Sequence, residues 1–197
     1  MTEEKKLRIF VAEDEALILA SFKMILKKNG YDVVGEACTG LSAYEKICRL
    51  RPDLILMDIN MPELDGINVL EKLNETMVIP CIFITGQYSK ELVERVNNAG
   101  AFGYLIKPVD GRQIKASVDI AMERYREFEQ LNAETNNLKS ALENRKFIER
   151  AKGILMQKCS MSEQDAMKHL QKKSRNTNMK LVEVAKEIIR ADDLFKI

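Results

Sequence analysis

No stretch of this sequence approaches the roughly 20 consecutive apolar residues needed to span a bilayer. The opening MTEEKKLRIFVAEDE meets acids at Glu13–Glu15 before any apolar run of signal length, so no secretory signal is expected. Cysteine is sparse. Cys38, Cys48, Cys81 and Cys159 are scattered with no C-x-x-C pair and read as small packing residues in a reducing cytosol. Histidine is nearly absent. After Arg145 there is one histidine, His169, and one cysteine, with no nucleophile–base set and no metal-ligand spacing. No enzymatic output is expected there, and His169 reads as a surface residue. Proline is missing from Asp110–Met156 and from everything after Arg145, and the one glycine after Gly111 is Gly153. Without such breakers that part of the chain reads as helical.

Hydrophobic content of 46% and charged content of 31% over 197 residues fit a soluble globular protein with room for one large domain or a medium one with an appendage. The net charge of +1 hides an asymmetry. From Arg145 to the end there are 13 Lys+Arg and 7 Asp+Glu, a net +6, while residues 1–144 hold 18 and 23, a net −5. An acidic front and a basic tail suggest two jobs. The tail either meets an anionic partner or is a solvated face.

Taken in order, Leu7–Ala12 reads as a first strand ending at Glu13-Asp14-Glu15. Ala16–Asn29 carries Leu17, Ile18, Phe22, Ile25 and Leu26 at helical spacing and stops at Gly30. Asp32–Ala37 is a second strand. Thr39–Leu50 is a helix ended at Arg51-Pro52, because the residue before proline leaves the α region. Asp53–Met57 runs almost without polarity and stops at Asp58, as a buried parallel strand does. Pro62–Gly66 is a turn, Ile67–Asn74 a short helix and Ile79–Thr85 a fourth strand. Lys90–Asn98 is a helix stopped by Gly100, Phe102–Ile106 a fifth strand, and Pro108 and Asp110 open a long helix. Strands alternating with helices predict an α/β fold, a flavodoxin-like (βα)5 domain with parallel strand order 2-1-3-4-5. Its ligand crevice lies at the carboxyl ends of strands 1 and 3.

Glu13, Asp14 and Asp58 would converge there. Three carboxylates at adjacent strand ends repel one another unless a cation sits among them, and Mg²⁺, a hard ion with oxygen ligands, suits the set. Thr85 ends strand 4 with a hydroxyl, and Lys107 ends strand 5 with a mobile ammonium. Singly these are a turn residue and a surface lysine. Together they could bind a phosphoryl group, with Asp58 as nucleophile and Lys107 and the metal neutralising its charge.

Over about residues 7–122 the chain resembles the receiver domain of two-component response regulators. The resemblance rests on Glu13-Asp14, on Asp58 with Met61-Pro62 and Gly66 behind it, on Thr85-Gly86 and on Lys107-Pro108. It implies that Asp58 takes a phosphoryl group from a histidine of a sensor kinase. It implies that Glu13, Asp14 and Asp58, with the backbone carbonyl of Asn60, hold Mg²⁺. Thr85 would move toward the phosphoryl oxygens and Lys107 would contact them. Tyr104 matches the family's switch aromatic, though by itself it is an ordinary strand aromatic. The Lys107–Pro108 peptide is often cis in this family.

Arg112–Tyr125 has apolar positions at 114, 118, 121, 122 and 125, as expected for a helix packing on the sheet. Phe128, Leu131, Thr135, Leu138 and Leu142 then follow a 3-4-3-4 pattern, the seam of a coiled coil. A polar helix with one thin apolar stripe either pairs with a second copy, giving a homodimer, or is a solvated spacer packing on its own tail. Phe147–Gln157 continues that helix, and Cys159-Ser160-Met161 breaks it. Ser162-x-x-Asp165 has capping-box spacing for a helix running to about Ser174, Asn176-Thr177-Asn178 is a cap-rich turn, and Leu181–Ile189 marks a third helix.

This tail, about residues 145–190, resembles the ANTAR domain, an RNA-binding antiterminator module. The carrying residues are Ala151-Lys152-Gly153-x-Leu155-Met156, Ser162, Ala166, Leu170, Ser174, Asn178 and Val184-Ala185. Ser174 stands where the family often has alanine. The expected division is a receiver over 1–122, a coiled-coil connector over 123–144 and an ANTAR-like unit of three helices over 145–197. Ala151, Gly153 and Ala166 read as close helix-packing positions. The resemblance implies a target of paired hairpins in nascent mRNA, held off from forming a terminator. Arg145, Lys146, Arg150, Lys152, Lys172, Lys173, Arg175 and Lys180 are the candidate phosphate contacts. Phe147 and Phe195 are the few rings for base stacking. A DNA-binding output and a protein-binding output stand as alternatives. Against DNA, Lys180, Lys186 and Arg190 are interleaved with Glu183 and Glu187, which is poor for a recognition helix. The protein is expected in the cytoplasm.

Overall fold

The computed structural model describes residues 6–194, so Phe195 lies outside the described residues. The chain divides into two compact units after Phe128. The first alternates β1 (Arg8–Ala12), α1 (Ala16–Lys28), β2 (Asp32–Ala37), α2 (Gly40–Leu50), β3 (Leu54–Asp58), α3 (Gly66–Asn74), β4 (Cys81–Thr85), α4 (Lys90–Asn98) and β5 (Gly103–Ile106). The strands form one parallel sheet in the order β2-β1-β3-β4-β5, as the alternation predicts. Helix α5 (Gly111–Cys159) follows, and its first turns bury Ile114, Val118 and Ala121 against the sheet.

Side chains alternate across a strand, so each strand feeds two cores. Phe10, Ala12, Ile55, Met57, Cys81 and Phe83 join one cluster, with Ala43 and Ile47 of α2 and Val69, Leu70 and Leu73 of α3. Ile9, Val11, Leu54, Leu56, Ile82 and Ile84 join the other, with Leu19, Phe22 and Leu26 of α1. Burial on both faces explains why β3 and β4 read as continuous apolar runs. Thr39, Asp65 and Ser89 cap α2, α3 and α4 by accepting from the N–H groups of Ser42, Asn68 and Leu92.

Local details depart from the sequence reading. β3 starts at Leu54 because the Asp53 carboxylate turns to accept the Arg8 N–H at 2.9 Å. β4 starts at Cys81; Pro80 brings no N–H, although its carbonyl accepts from Ile55 at 2.9 Å. Arg51 does leave the right-handed region, but for the left-handed one (φ 46°), where its N–H caps Ile47. Only two cysteines pack: Cys81 is buried and Cys48 half-buried, whereas Cys38 and Cys159 are exposed.

In the second unit the later turns of α5 meet α6 (Glu163–Thr177) and α7 (Leu181–Leu194). Ala151, Leu155, Ala166, Leu170, Val184, Ala185 and Ile189 are its buried core. Gly153 does not share the packing role expected for it. A Cβ there would meet nothing within 4 Å, because position 153 lies about 200° around the helix from the buried Ala151. Ser162 Oγ accepts from the Asp165 N–H at 3.2 Å, but the Asp165 carboxylate accepts from the Ser162 hydroxyl rather than from its N–H, at 2.7 Å. The capping box is therefore closed side chain to side chain, consistent with the shorter acid. Helix α6 runs past Ser174 to Thr177, and Asn178 ends it in the left-handed region (φ 53°).

The expected seam is partly taken. Phe128, the last residue of the first unit, packs its ring against Phe102 and Tyr125 of that same unit, at centroid distances of 5.9 and 6.5 Å. Leu131, Leu138 and Leu142 are 64%, 72% and 58% exposed.

Candidate functional site

Four strand ends build one rim. Glu13, immediately after β1, is fully buried, and Asp14 beside it is exposed. Asp58 closes β3 at 5% exposure, and Thr85 closes β4 with no exposure. The register pairs Asp58 with Ile84 and Thr85 with Ile106, which sets Lys107 beside them just beyond β5. The Lys107 Nζ lies 2.6 Å from Asp58 Oδ2 and 2.8 Å from Glu13 Oε1. Asp58 Oδ1 accepts the N–H of Asn60 at 3.1 Å. The Lys107–Pro108 peptide is cis. Behind Asp58 the chain passes close to itself: a Cβ on Gly66 would sit 2.2 Å from the Asp58 carbonyl oxygen, so only glycine fits.

Burial raises the Glu13 carboxyl from its usual range to about 7, against the opposing hydrogen bond from Lys107. Burial works to lower the Lys107 ammonium, but hydrogen bonds and charge from Asp58 and Glu13 outweigh it and hold it above its ordinary value. Carboxylate oxygens of Glu13, Asp14 and Asp58 all lie within 4.8 Å of one another. The buried Glu13 Oε2 accepts no hydrogen bond among the described residues. An orphaned buried carboxylate oxygen beside two further carboxylates is a donor set for a hard cation.

Tyr104, half-buried on β5, donates its hydroxyl to the Gln87 carbonyl at 2.8 Å. The Gln87 N–H in turn donates to Thr85 Oγ1 at 3.3 Å.

Residues 9–119 match the response regulator receiver domain, and residues 136–189 match the ANTAR domain. The chain is a response regulator with an ANTAR domain. It is 40% identical over 177 residues to the transcriptional regulatory protein PdtaR of Mycobacterium tuberculosis, covering 89% of this chain and 86% of that one. The chemotaxis protein CheY of Bacillus subtilis is 36% identical over 116 residues, 57% of this chain and 94% of the relative. The receiver domain of a NarL response regulator from M. tuberculosis superposes with a TM-score of 0.58 at 30% identity, covering 60% of this chain and 98% of that one. The output of this response regulator is thus regulatory, not enzymatic. Among the described residues no helix is long and apolar enough to cross a membrane.

At the receiver rim Glu13, Asp14 and Asp58 lie together, Lys107 bridges Glu13 and Asp58, and Asn60 reaches Asp58 through its N–H; Thr85 stands at the adjacent strand end, with Tyr104 linked to it through Gln87. Sequence reasoning missed two participants. Glu15 places Oε1 4.0 Å from Lys107 and donates its N–H to Glu13 at 3.4 Å. Gln87 acts through its backbone, so its side-chain identity carries no signal; its position two residues after Thr85 is the one clue.

In the ANTAR unit the candidate cations separate. Lys152 is buried, with its ammonium 2.9 Å from Glu149 and 2.8 Å from Glu163. It serves the fold, which corrects its expected place among phosphate contacts: the A-K-G segment turns it toward α6. Arg150 pairs with Asp193 at 3.0 Å and Lys173 with Glu187 at 3.3 Å. Arg145, Lys146, Lys172, Arg175 and Lys180 are exposed. Phe147 is half-buried beneath Lys186, 4.7 Å from ring centroid to ammonium, so it is no free stacking platform.

Proposed function

We propose that Asp58 accepts a phosphoryl group from a sensor-kinase histidine in the cytoplasm, and that the modified protein dimerises and binds paired hairpins in nascent mRNA, preventing termination. The observation that carries this reading is the placement of Lys107 between Asp58 and Glu13 in a chain whose other unit is an ANTAR domain.

Asp58 is the nucleophile. One of its carboxylate oxygens forms the new O–P bond as the P–N bond of the phosphohistidine breaks, and the imidazole nitrogen keeps that electron pair. The Asn60 N–H fixes the carboxylate plane from Oδ1. Lys107 already stands at Oδ2 and follows the phosphoryl oxygens, offsetting their charge at a partly buried rim. Thr85 offers its hydroxyl to the same oxygens, which draws on the contact with Gln87 and hence on Tyr104. Glu13, Asp14 and Asp58 with the Asn60 carbonyl would hold Mg²⁺, which when bound neutralises charge on the transferring group.

The working division is receiver 1–122, connector 123–144 and RNA-binding unit 145–197. In the connector Leu131, Thr135, Leu138 and Leu142 supply a stripe that a second copy would cover. Two ANTAR units on one dimer make the second hairpin contact intramolecular, which raises affinity without new contacts.

The test uses the full-length protein with beryllofluoride and Mg²⁺ as phosphoryl mimic. Binding to a paired-hairpin RNA should rise on activation, exceed binding to duplex DNA of equal charge, and lose its response in Asp58→Ala. Equal, activation-independent binding to both polymers would sink the antiterminator reading.

A further inference from the structure

The excess charge of the tail is not spread evenly, and its distribution singles out one face. From Arg145 onward every acid is engaged within the unit. Glu149 and Glu163 hold Lys152, Glu187 pairs with Lys173, Asp192 with Lys158 and Asp193 with Arg150. Asp165 takes the Ser162 hydroxyl, and Glu183 takes the Lys180 N–H. Lys186 lies over the Phe147 ring. The pairings therefore neutralise Arg150, Lys152, Lys158 and Lys173, and leave the surplus on the others.

Three of these stand in a row. Lys168, Lys172 and Arg175 occupy positions i, i+4 and i+7 of α6, one face of a helix. All three are exposed, and among the described residues none makes an ion pair. The opposite side of the same helix is Ala166 and Leu170, fully buried in the core. No acid occurs between Asp165 and Glu183, so nothing in the sequence nearby balances the row. The neighbouring exposed residues, His169, Gln171 and Asn176, are polar. By contrast, the cations Lys180 and Arg190 are separated by Glu183 and Glu187, and Arg145 and Lys146 are an isolated pair on α5.

Like charges at i and i+4 weaken a helix, and packing here derives nothing from them. Arg175, in the last turn, complements the helix dipole, but Lys168 and Lys172 have no ion-pair partner among the described residues, and such a local conflict points to a role outside the fold. A single small anion gains little from exposed cations screened by water and salt. A polymer presenting several phosphates in line gains from all three, by releasing its counterions. The row spans about 10 Å, at 1.5 Å of rise per residue.

We propose that this outer face of α6 carries the RNA backbone, with Lys168, Lys172 and Arg175 as its phosphate contacts. The assignment rests on the RNA-binding reading above. It drops Arg145, Lys146, Arg150, Lys152, Lys173 and Lys180 from the contact set and adds Lys168.

The experiment compares two triple variants of the full-length, beryllofluoride-activated protein on a paired-hairpin RNA across a salt series. One carries Lys168→Gln, Lys172→Gln and Arg175→Gln. The other carries Arg145→Gln, Lys146→Gln and Arg190→Gln, removing equal charge elsewhere. Both sets are exposed, so circular dichroism and melting temperature should match the parent. The α6 triple should lose at least about 30-fold in affinity and flatten the log Kd against log salt slope by about 2, while the control triple loses less than about threefold. Equal losses in the two triples, or parental binding by the α6 triple, would overturn the face. If the parent itself does not select RNA over duplex DNA, the RNA reading falls and the face with it. If the parent selects RNA while the α6 triple keeps full affinity, the face alone is wrong.

Discussion

Thr85 and Tyr104, on the adjacent strands β4 and β5, hold the same residue from two sides. The Gln87 N–H donates to Thr85 Oγ1 at 3.3 Å, and the Gln87 carbonyl accepts the Tyr104 hydroxyl at 2.8 Å. The two side chains are thus joined through one residue's backbone.

Thr85→Ala removes that hydroxyl and leaves Asp58 in place. The variant should still take up phosphate from acetyl phosphate, read on a phosphate-affinity gel. Its gain in RNA affinity on activation should shrink by at least about fivefold, the scale of a coupling near 1 kcal/mol. An undiminished gain would show that Thr85 does not transmit the signal.

Lys107→Met leaves two buried carboxylates, Glu13 and Asp58, without their shared ammonium. In EDTA the receiver should lose roughly 1–3 kcal/mol in urea unfolding, the cost of a buried charge left without its partner. Added Mg²⁺ should restore more stability to this variant than to the parent, since the cation replaces the missing charge. Equal Mg²⁺ responses would argue against a cation site formed by these carboxylates.

Three of the thiols should fall into two classes of reactivity. Burial pushes the Cys81 thiol far above its ordinary value, so it stays protonated and unreactive in the native protein. Cys38 and Cys159 are exposed and should react quickly with a disulfide reagent at pH 8, with Cys81 reacting only in denaturant. Fast labelling of Cys81 in the native protein would contradict its placement in the core.

Two glycines should respond to alanine with opposite sign. At Gly66 the new Cβ would lie 2.2 Å from the Asp58 carbonyl, which must move, so Gly66→Ala should destabilise by roughly 1–3 kcal/mol. At Gly153 the Cβ meets nothing within 4 Å. Relief of the glycine's backbone entropy should then stabilise the second unit by about 0.5–1 kcal/mol. A matched pair of thermal melts measures both.

Most of the candidate rim was legible because its signals are local. Asp58 ends an apolar run, Thr85 and Lys107 end two others, and parallel topology carries all three to the same edge. Gln87 was not legible, because it contributes only backbone atoms. The fate of Lys152 was not legible either. Glu163, which helps bury it, lies beyond the break at Ser160, and nothing in the A-K-G segment announces a partner on the next helix.

The order of strands and helices follows from the residues alone, because periodicity, caps and breakers act over a few positions and leave their pattern in the chain. So do the acidic character of the receiver rim and the positive surplus of the tail. Folding alone decided which charges are spent. Lys107 is committed to Asp58 and Glu13, Lys152 to two glutamates and Phe128 to Phe102, whereas Lys168, Lys172 and Arg175 stay exposed. Each of those pairings joins groups whose approach depends on how the helices and strands pack, and an ion pair or ring contact exists only once that packing brings its partners within a few ångströms.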